Sequence, residues 1–267
     1  MTTFYLGTHQ PHWLGLVGVP LFISRRRLGR RKTFPRAKAP WALDSGGFSE
    51  LSLYGTWRTS AAQYASEVRC FRDRIGRLQW AAAQDWMCEP QLCALTFPGL
   101  PHRLAVEWHQ ALTVANFAQL RSLAPDLPFV PVLQGWTERE YLDHVEHYDR
   151  AGFDLRAEPL VGLGSVCRRQ HTGMVERLVA RLSRGGIRLH GFGFKIQGLR
   201  RVAGLLVSAD SGAWGVAARR SPPLPECVGK HKNCANCHHY ALMWRERVLK
   251  HMLHSTPRQG ELELEAS

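Results

Sequence analysis

Five polar residues stand where apolar runs of this chain end. "WALDSGGFSEL" (41–51) passes from an apolar stretch into Asp44, then Ser45, two glycines and Phe48. "LQWAAAQD" (78–85) ends in Asp85, "PFVPVLQG" (128–135) reaches Gln134, "PLVGLGS" (159–165) ends in Gly164 and Ser165, and "GLLVSAD" (204–210) ends in Asp210. A turn accounts for any one of them, since Asp and Ser bond to nearby backbone and glycine takes positive φ. Three carboxylates and a carboxamide at corresponding positions on several strands are harder to assign to turns alone. Paired carboxylates in one site divide nucleophilic from acid–base work, and the bare glycine backbone admits a flat ligand.

A second group is sulfur-rich. "CVGKHKNCANCHHY" (227–240) holds Cys227, His231, Cys234 and Cys237, then His238 and His239. A C-x-x-C pair with a third cysteine close upstream is a strong signal for structural zinc. The fourth ligand has several candidates: His231, His238, His239, His251 and His254. The segment after Cys237 reads as one helix, which would carry His251 roughly 20 Å along it. His231, inside the loop, is therefore the expected ligand. All four positions come from protein side chains, so this Zn2+ is expected to be structural.

These residues need a frame. The chain has 267 residues, 45% hydrophobic and 21% charged, enough for a large α/β core. Strand candidates at 4–7, 20–24, 41–44, 78–85, 128–135, 159–165, 189–194 and 204–210 alternate with helical patterns at Ser60–Ile75, His102–Leu123, Glu138–Ala151 and Gln170–Arg184. Strand–helix alternation implies parallel pairing with right-handed crossovers. The count fits a (β/α)8 TIM barrel better than an open sheet. In such a barrel the polar strand ends converge on the C-terminal face, where catalysis resides. The expected division is a barrel over 1–222, a zinc-binding segment and helix over 223–256, and a flexible tail over 257–267.

In this order, "DSGGF" (44–48), "QDW" (84–86), "LQGW" (133–136), "GLGSV" (162–166), "ADSGAW" (209–214) and the cysteine cluster resemble the guanine transglycosylase family. That family comprises tRNA-guanine transglycosylases and DNA-acting relatives that insert 7-deazaguanines. The resemblance covers about residues 40–240. It implies a (β/α)8 barrel with a zinc site, and exchange of guanine in a polynucleotide for a free deazaguanine through a covalent sugar–enzyme intermediate. It implies Asp210 as the nucleophile at C1′ and Asp44 as the general acid/base. Asp85 would accept from the N1 and N2 donors of the base, with Gln134 and the Gly164 backbone at its O6 edge. Ser45, Ser165 and Phe48 would adjoin the ligand. The tRNA enzymes place their first two cysteines one residue apart and take a histidine far downstream; this chain departs from both features.

Lys plus Arg number 35 against 22 Asp plus Glu, a formal charge of +13, which favours a polyanionic partner. Arg25, Arg26, Arg27, Arg30, Arg31 and Lys32 crowd the connection before the DSGGF strand, joined by Arg36 and Lys38. A phosphate-tracking loop is expected there, with Arg168 and Arg169 adding contacts after Ser165. The short chain, the cysteine spacing and the "GTHQPHWL" opening resemble the DNA-acting branch, so the expected activity is DNA guanine transglycosylation. A tRNA transglycosylase is the alternative, followed by a non-catalytic nucleic-acid-binding subunit and a base-excision glycosylase. The N-terminus lacks a signal-peptide pattern and no run is long enough to span a bilayer, so a soluble, cytoplasmic protein with no membrane partner is expected. The residues name neither the incoming base nor the oligomeric state. A homodimer and a helper protein that unpairs a duplex both stay open.

Overall fold

The computed structural model describes residues 2–253, apart from 168, 170 and 171. Strand β1 (Thr3–Thr8) buries its residues to opposite sides. Phe4 and Leu6 join the layer beneath the helices, while Tyr5 turns into a smaller cluster with Phe22, Trp80 and Val130. The same period of two runs through β2 (Leu21–Ser24), β3 (Trp41–Asp44) and β4 (Leu78–Ala82). Leu21, Ile23, Trp41, Leu43 and Ala81 face outward, and Phe22, Ala42, Trp80 and Ala82 face inward. Strands buried on both faces are the mark of a parallel sheet with helices around it.

One stave of the barrel is interrupted at a proline. β5 (Phe129–Val130) and β6 (Val132–Leu133) are separated only by Pro131, which has no N–H to give a ladder. β4 pairs with the first half, and β7 (Val161–Leu163) pairs with the second. β8 (Leu189–Gly191) and β9 (Ser208–Ser211) complete the order β5-β4-β3-β2-β1-β9-β8-β7-β6, all parallel. The nine segments are thus eight staves, and the expected (β/α)8 barrel is the fold. The strand reading overran in places: "LQWAAAQD" is strand only to Ala82, and the sheet ends before Asp85 and Gln134.

The helices are α1 (Arg25–Leu28), α2 (Gly47–Tyr54), α3 (Ala61–Ile75), α4 (Pro90–Thr96), α5 (His102–Leu123), α6 (Glu138–Arg150), α7 (Gly173–Arg184), α8 (Ile196–Val202), α9 (Trp214–Arg220) and α10 (His238–Leu253). The long ones lie where helical periodicity is strongest, and their starts are capped. Ser60 accepts from the Gln63 N–H, and Thr137 with Glu140 forms a capping box. α1, α2, α4, α8 and α9 are too short to declare a period, and sequence reasoning passed over them. α10 packs on α8, α9 and β1, and its Tyr240, Ala241, Trp244 and Val248 continue the barrel core. Among the described residues no helix is long and apolar enough to cross a membrane. Residues 257–267 and His254 lie outside the described residues.

Candidate active site

The inward face of each strand sets what its last residue can reach. Asp44 ends β3, and the same face of β9 carries Ser208 and Asp210. Asp85 and Gln134 follow β4 and β6 by a few residues, and Gly164 and Ser165 follow β7. Asp44, Asp85, Gln134, Gly164, Ser165 and Asp210, with Ser45 and Phe48, border one pocket of about 240 Å³ at the C-terminal mouth of the barrel. A wider cavity of about 670 Å³ opens at the opposite end, bordered by Tyr5, Gln79 and the Arg121–Glu158 ion pair. The convergent carboxylates belong to the smaller one.

One wall is a chain of hydrogen bonds. Ser45 Oγ donates to Asp85 Oδ1 at 3.2 Å and accepts from the Gly47 N–H. Gln134 Nε2 donates to Asp85 Oδ2 at 2.5 Å. Ser165 Oγ lies 2.7 Å from Gln134 Oε1 and 2.7 Å from Glu89 Oε2, and accepts from the Cys88 N–H. The Gln134 backbone is braced in turn by Gln110 Nε2 and the His144 ring. Burial pushes the Asp85 carboxyl up to about 7, the neighbouring Asp44 charge adds to the rise, and the donors from Gln134 and Ser45 oppose it. The Asp44 carboxyl is likewise raised, first by burial and then by Asp210, against donors from Gly46 and Ser24.

Gly164 needs its missing side chain: a Cβ there would collide with the Gln134 carboxamide. It borders the pocket where its base-edge role is expected, and its N–H donates to Leu133 O at 2.9 Å, continuing the barrel ladder. Its carbonyl accepts from Tyr141 Oη at 2.7 Å. What glycine supplies is space for Gln134. Ser165 sits at φ +53°, in the left-handed region, and this aims its hydroxyl back across the wall.

Two residues that border the pocket, Glu89 and Gly193, and one that reaches Asp210 from beneath it, His190, escaped sequence reasoning. Glu89 belongs to the loop after β4, His190 stands in the middle of a strand, and Gly193 follows β8. Gly193 N–H donates to Asp210 Oδ1 at 2.9 Å, and His190 Nε2 lies 3.3 Å from the same oxygen. For His190 the available signal was its place within the candidate strand 189–194; the structure pairs it with Ser208 on the inward face.

The basic segment divides by burial. Arg25 turns inward to a forked ion pair with Glu67, and 3.9 Å from Glu50, so its expected place in a phosphate loop is corrected to a structural anchor. Arg26 pairs with Glu50 at 3.1 Å. Arg27, Arg30, Arg31 and Lys32 are exposed. Arg169 stacks 3.7 Å over Trp136 and donates to Ser165 O, which holds it on the loop above the pocket. Arg168 lies outside the described residues.

Cys227, His231, Cys234 and Cys237 come together with their ligand atoms within 4.8 Å of one another. Around a tetrahedral zinc with sulfur at about 2.3 Å, ligand atoms stand about 3.8 Å apart. Cys227 and Cys237 Sγ are 3.8 Å apart, and His231 Nε2 is 3.2 Å from Cys234 Sγ. The cluster can hold such a metal ion. His251 instead meets Arg200 on the surface. The cluster also touches the barrel: Asn236 Oδ1 accepts from Gln10 Nε2 at 3.1 Å and lies 2.7 Å from His9 Nε2, while the His9 ring stacks on Trp214.

No curated protein matches the chain. A sequence model of one protein family, DpdA (DeoxyPurine in DNA protein A), matches residues 1–260. Since that span takes in the barrel, the pocket and the cysteine cluster together, the chain belongs to the DpdA family.

Proposed function

We propose that this protein is a DNA guanine transglycosylase that exchanges guanine in DNA for a free 7-deazaguanine through a covalent Asp210–deoxyribose intermediate. The carrying observation is that Asp44, Asp85, Gln134 and Asp210, from four strand ends, border one pocket of about 240 Å³. The family description, which names deoxypurine in DNA, supports the polymer. Guanine offers N1–H and N2–H₂ as a paired donor edge, which a carboxylate such as Asp85 matches. Gln134 then addresses O6, and Phe48 lies at the mouth beside the ring.

The target nucleotide first leaves its stack. Asp210 attacks C1′ as the glycosidic bond breaks; the bonding electrons pass to the base, and Asp44 supplies its proton. The incoming deazaguanine gives its ring N–H proton to Asp44 and attacks C1′, and the ester electrons return to Asp210. Burial, which keeps the Asp44 carboxyl raised, suits a group that must hold and release a proton. The Cys227, His231, Cys234 and Cys237 set would hold a structural zinc, which when bound cross-links the loop before α10.

The test incubates the protein with guanine-containing DNA or unmodified tRNA and 7-cyano-7-deazaguanine, then reads nucleosides by mass spectrometry. Deazaguanine is expected in DNA and absent with Asp210→Ala. Incorporation only into tRNA selects the alternative polymer, and none in either overturns base exchange with this base.

A further inference from the structure

His190 is a buried histidine that base exchange does not otherwise use. It stands on the inward face of β8, walled by aromatic rings of Tyr5, Phe22, Trp80 and Phe192 at centroid distances of 4.6 to 6.0 Å. Its two nitrogens have different neighbours: Nδ1 is 2.8 Å from Ser208 Oγ, and Nε2 is 3.3 Å from Asp210 Oδ1. A carboxylate only accepts, so the nitrogen facing Asp210 carries the proton, and Nδ1 accepts from the Ser208 hydroxyl. Ser208 and Asp210 are two residues apart on β9 and share its inward face, so one strand holds the ring at both ends.

We propose that His190 is a positioning residue that, with the Gly193 N–H, ties down Oδ1 of Asp210 and leaves Oδ2 as the oxygen that meets C1′. The inference rests on the base-exchange reading above. Oδ2 forms the bond to C1′ as the bond to the base breaks, and it regains that electron pair when the incoming base displaces it. His190 keeps its proton throughout. Its Nε2–H makes the carboxylate both oriented and a better leaving group, at no cost of reorganisation. The ring stays neutral because burial disfavours its charged form more than Asp210 favours it. The titratable groups facing it are Asp210 and Tyr5.

The experiment traps the covalent protein–DNA adduct under denaturing conditions, without free base, over time. His190→Phe keeps the ring and loses the donor; it is expected to slow adduct formation about 30-fold with the KM for DNA little changed. His190→Gln, whose Nε2 stands where the imidazole Nε2 stood, is expected to restore most of the rate. Adduct formation by His190→Phe at the wild-type rate overturns the proposal, as does a Gln variant no faster than Phe. No adduct in the wild-type protein overturns the base-exchange reading itself. Histidine ¹⁵N spectra separate the two failures. A neutral Nε2–H tautomer across the neutral range, disturbed by Ser208→Ala, supports the geometry; an Nδ1–H tautomer or an ordinary titration overturns it.

Discussion

Asp85 is the residue whose environment makes the sharpest demand. Its carboxyl moves from an ordinary 3.8 to about 7 on folding, chiefly through burial. Between those limits the folded chain binds a proton that the unfolded chain lacks. Stability must therefore fall as pH rises from about 4 to 7, and level off above. Asp85→Asn should flatten that slope, as read by urea midpoints at about pH 5.5 and about pH 8.5. If Asp85 receives the donor edge of guanine, affinity for the free base must rise across the same window, because only the ionised carboxylate accepts at both oxygens. Titration calorimetry at both pH values checks this, and equal affinities would contradict the assignment. Gly164→Ala is the steric counterpart. Its methyl displaces the Gln134 carboxamide, so base affinity should drop at least about tenfold while the barrel loses no more than about 1–3 kcal/mol.

At the scale of elements, the cysteine cluster and the barrel are clasped together. Trp214 opens α9, four residues past Asp210, and its indole donates to Gly7 O at 2.7 Å. Its ring packs against Trp13 and His9, and His9 reaches Asn236 between Cys234 and Cys237. Metal bound at the cluster should therefore steady the turn from β9 into α9 that follows Asp210. Chelation or Cys234→Ser is expected to lower the melting temperature by several degrees, and hydrogen exchange should rise first around residues 9–10 and 234–237. Exchange confined to the cysteine loop would show that the clasp carries no strain to the barrel. Little of this clasp is legible in sequence, since Gln10 and Asn236 are 226 positions apart and neither type announces a partner. The cysteine spacing itself is legible, because zinc coordination repeats a short local pattern.

For the whole molecule, the +13 charge predicts salt-dependent binding to DNA. Replacing exposed Arg30 or Arg31 by alanine should reduce the slope of log K against log salt by about 1 each, with the fold intact. Arg25→Ala should behave differently. It leaves Glu67 without its forked partner, while Glu50 keeps Arg26, so about 3 kcal/mol of stability is expected to be lost. Thermal melts and fluorescence-anisotropy titrations distinguish the two classes of arginine. Within one run of like charges, burial decides which residues are held by the fold and which face the partner.

Sequence by itself determined the barrel, the polar strand ends and the sulfur cluster. Each rests on local regularity: alternation of strand and helix, a side-chain period of two that points strand ends to one mouth, and ligand spacing within a short loop. It also indicated that Asp44, Asp85, Gln134 and Asp210 belong together, since residues at or just past the C-terminal ends of parallel barrel strands converge on one mouth. Tertiary structure alone decided the rest. That Gly164 makes room for Gln134 while its N–H stays in the ladder, that Arg25 turns inward to Glu67, and that His190 meets Asp210 all depend on register and burial between segments far apart in the chain. Composition carries no trace of such pairings, because a hydrogen bond or an ion pair is a property of two places brought within a few ångströms by folding.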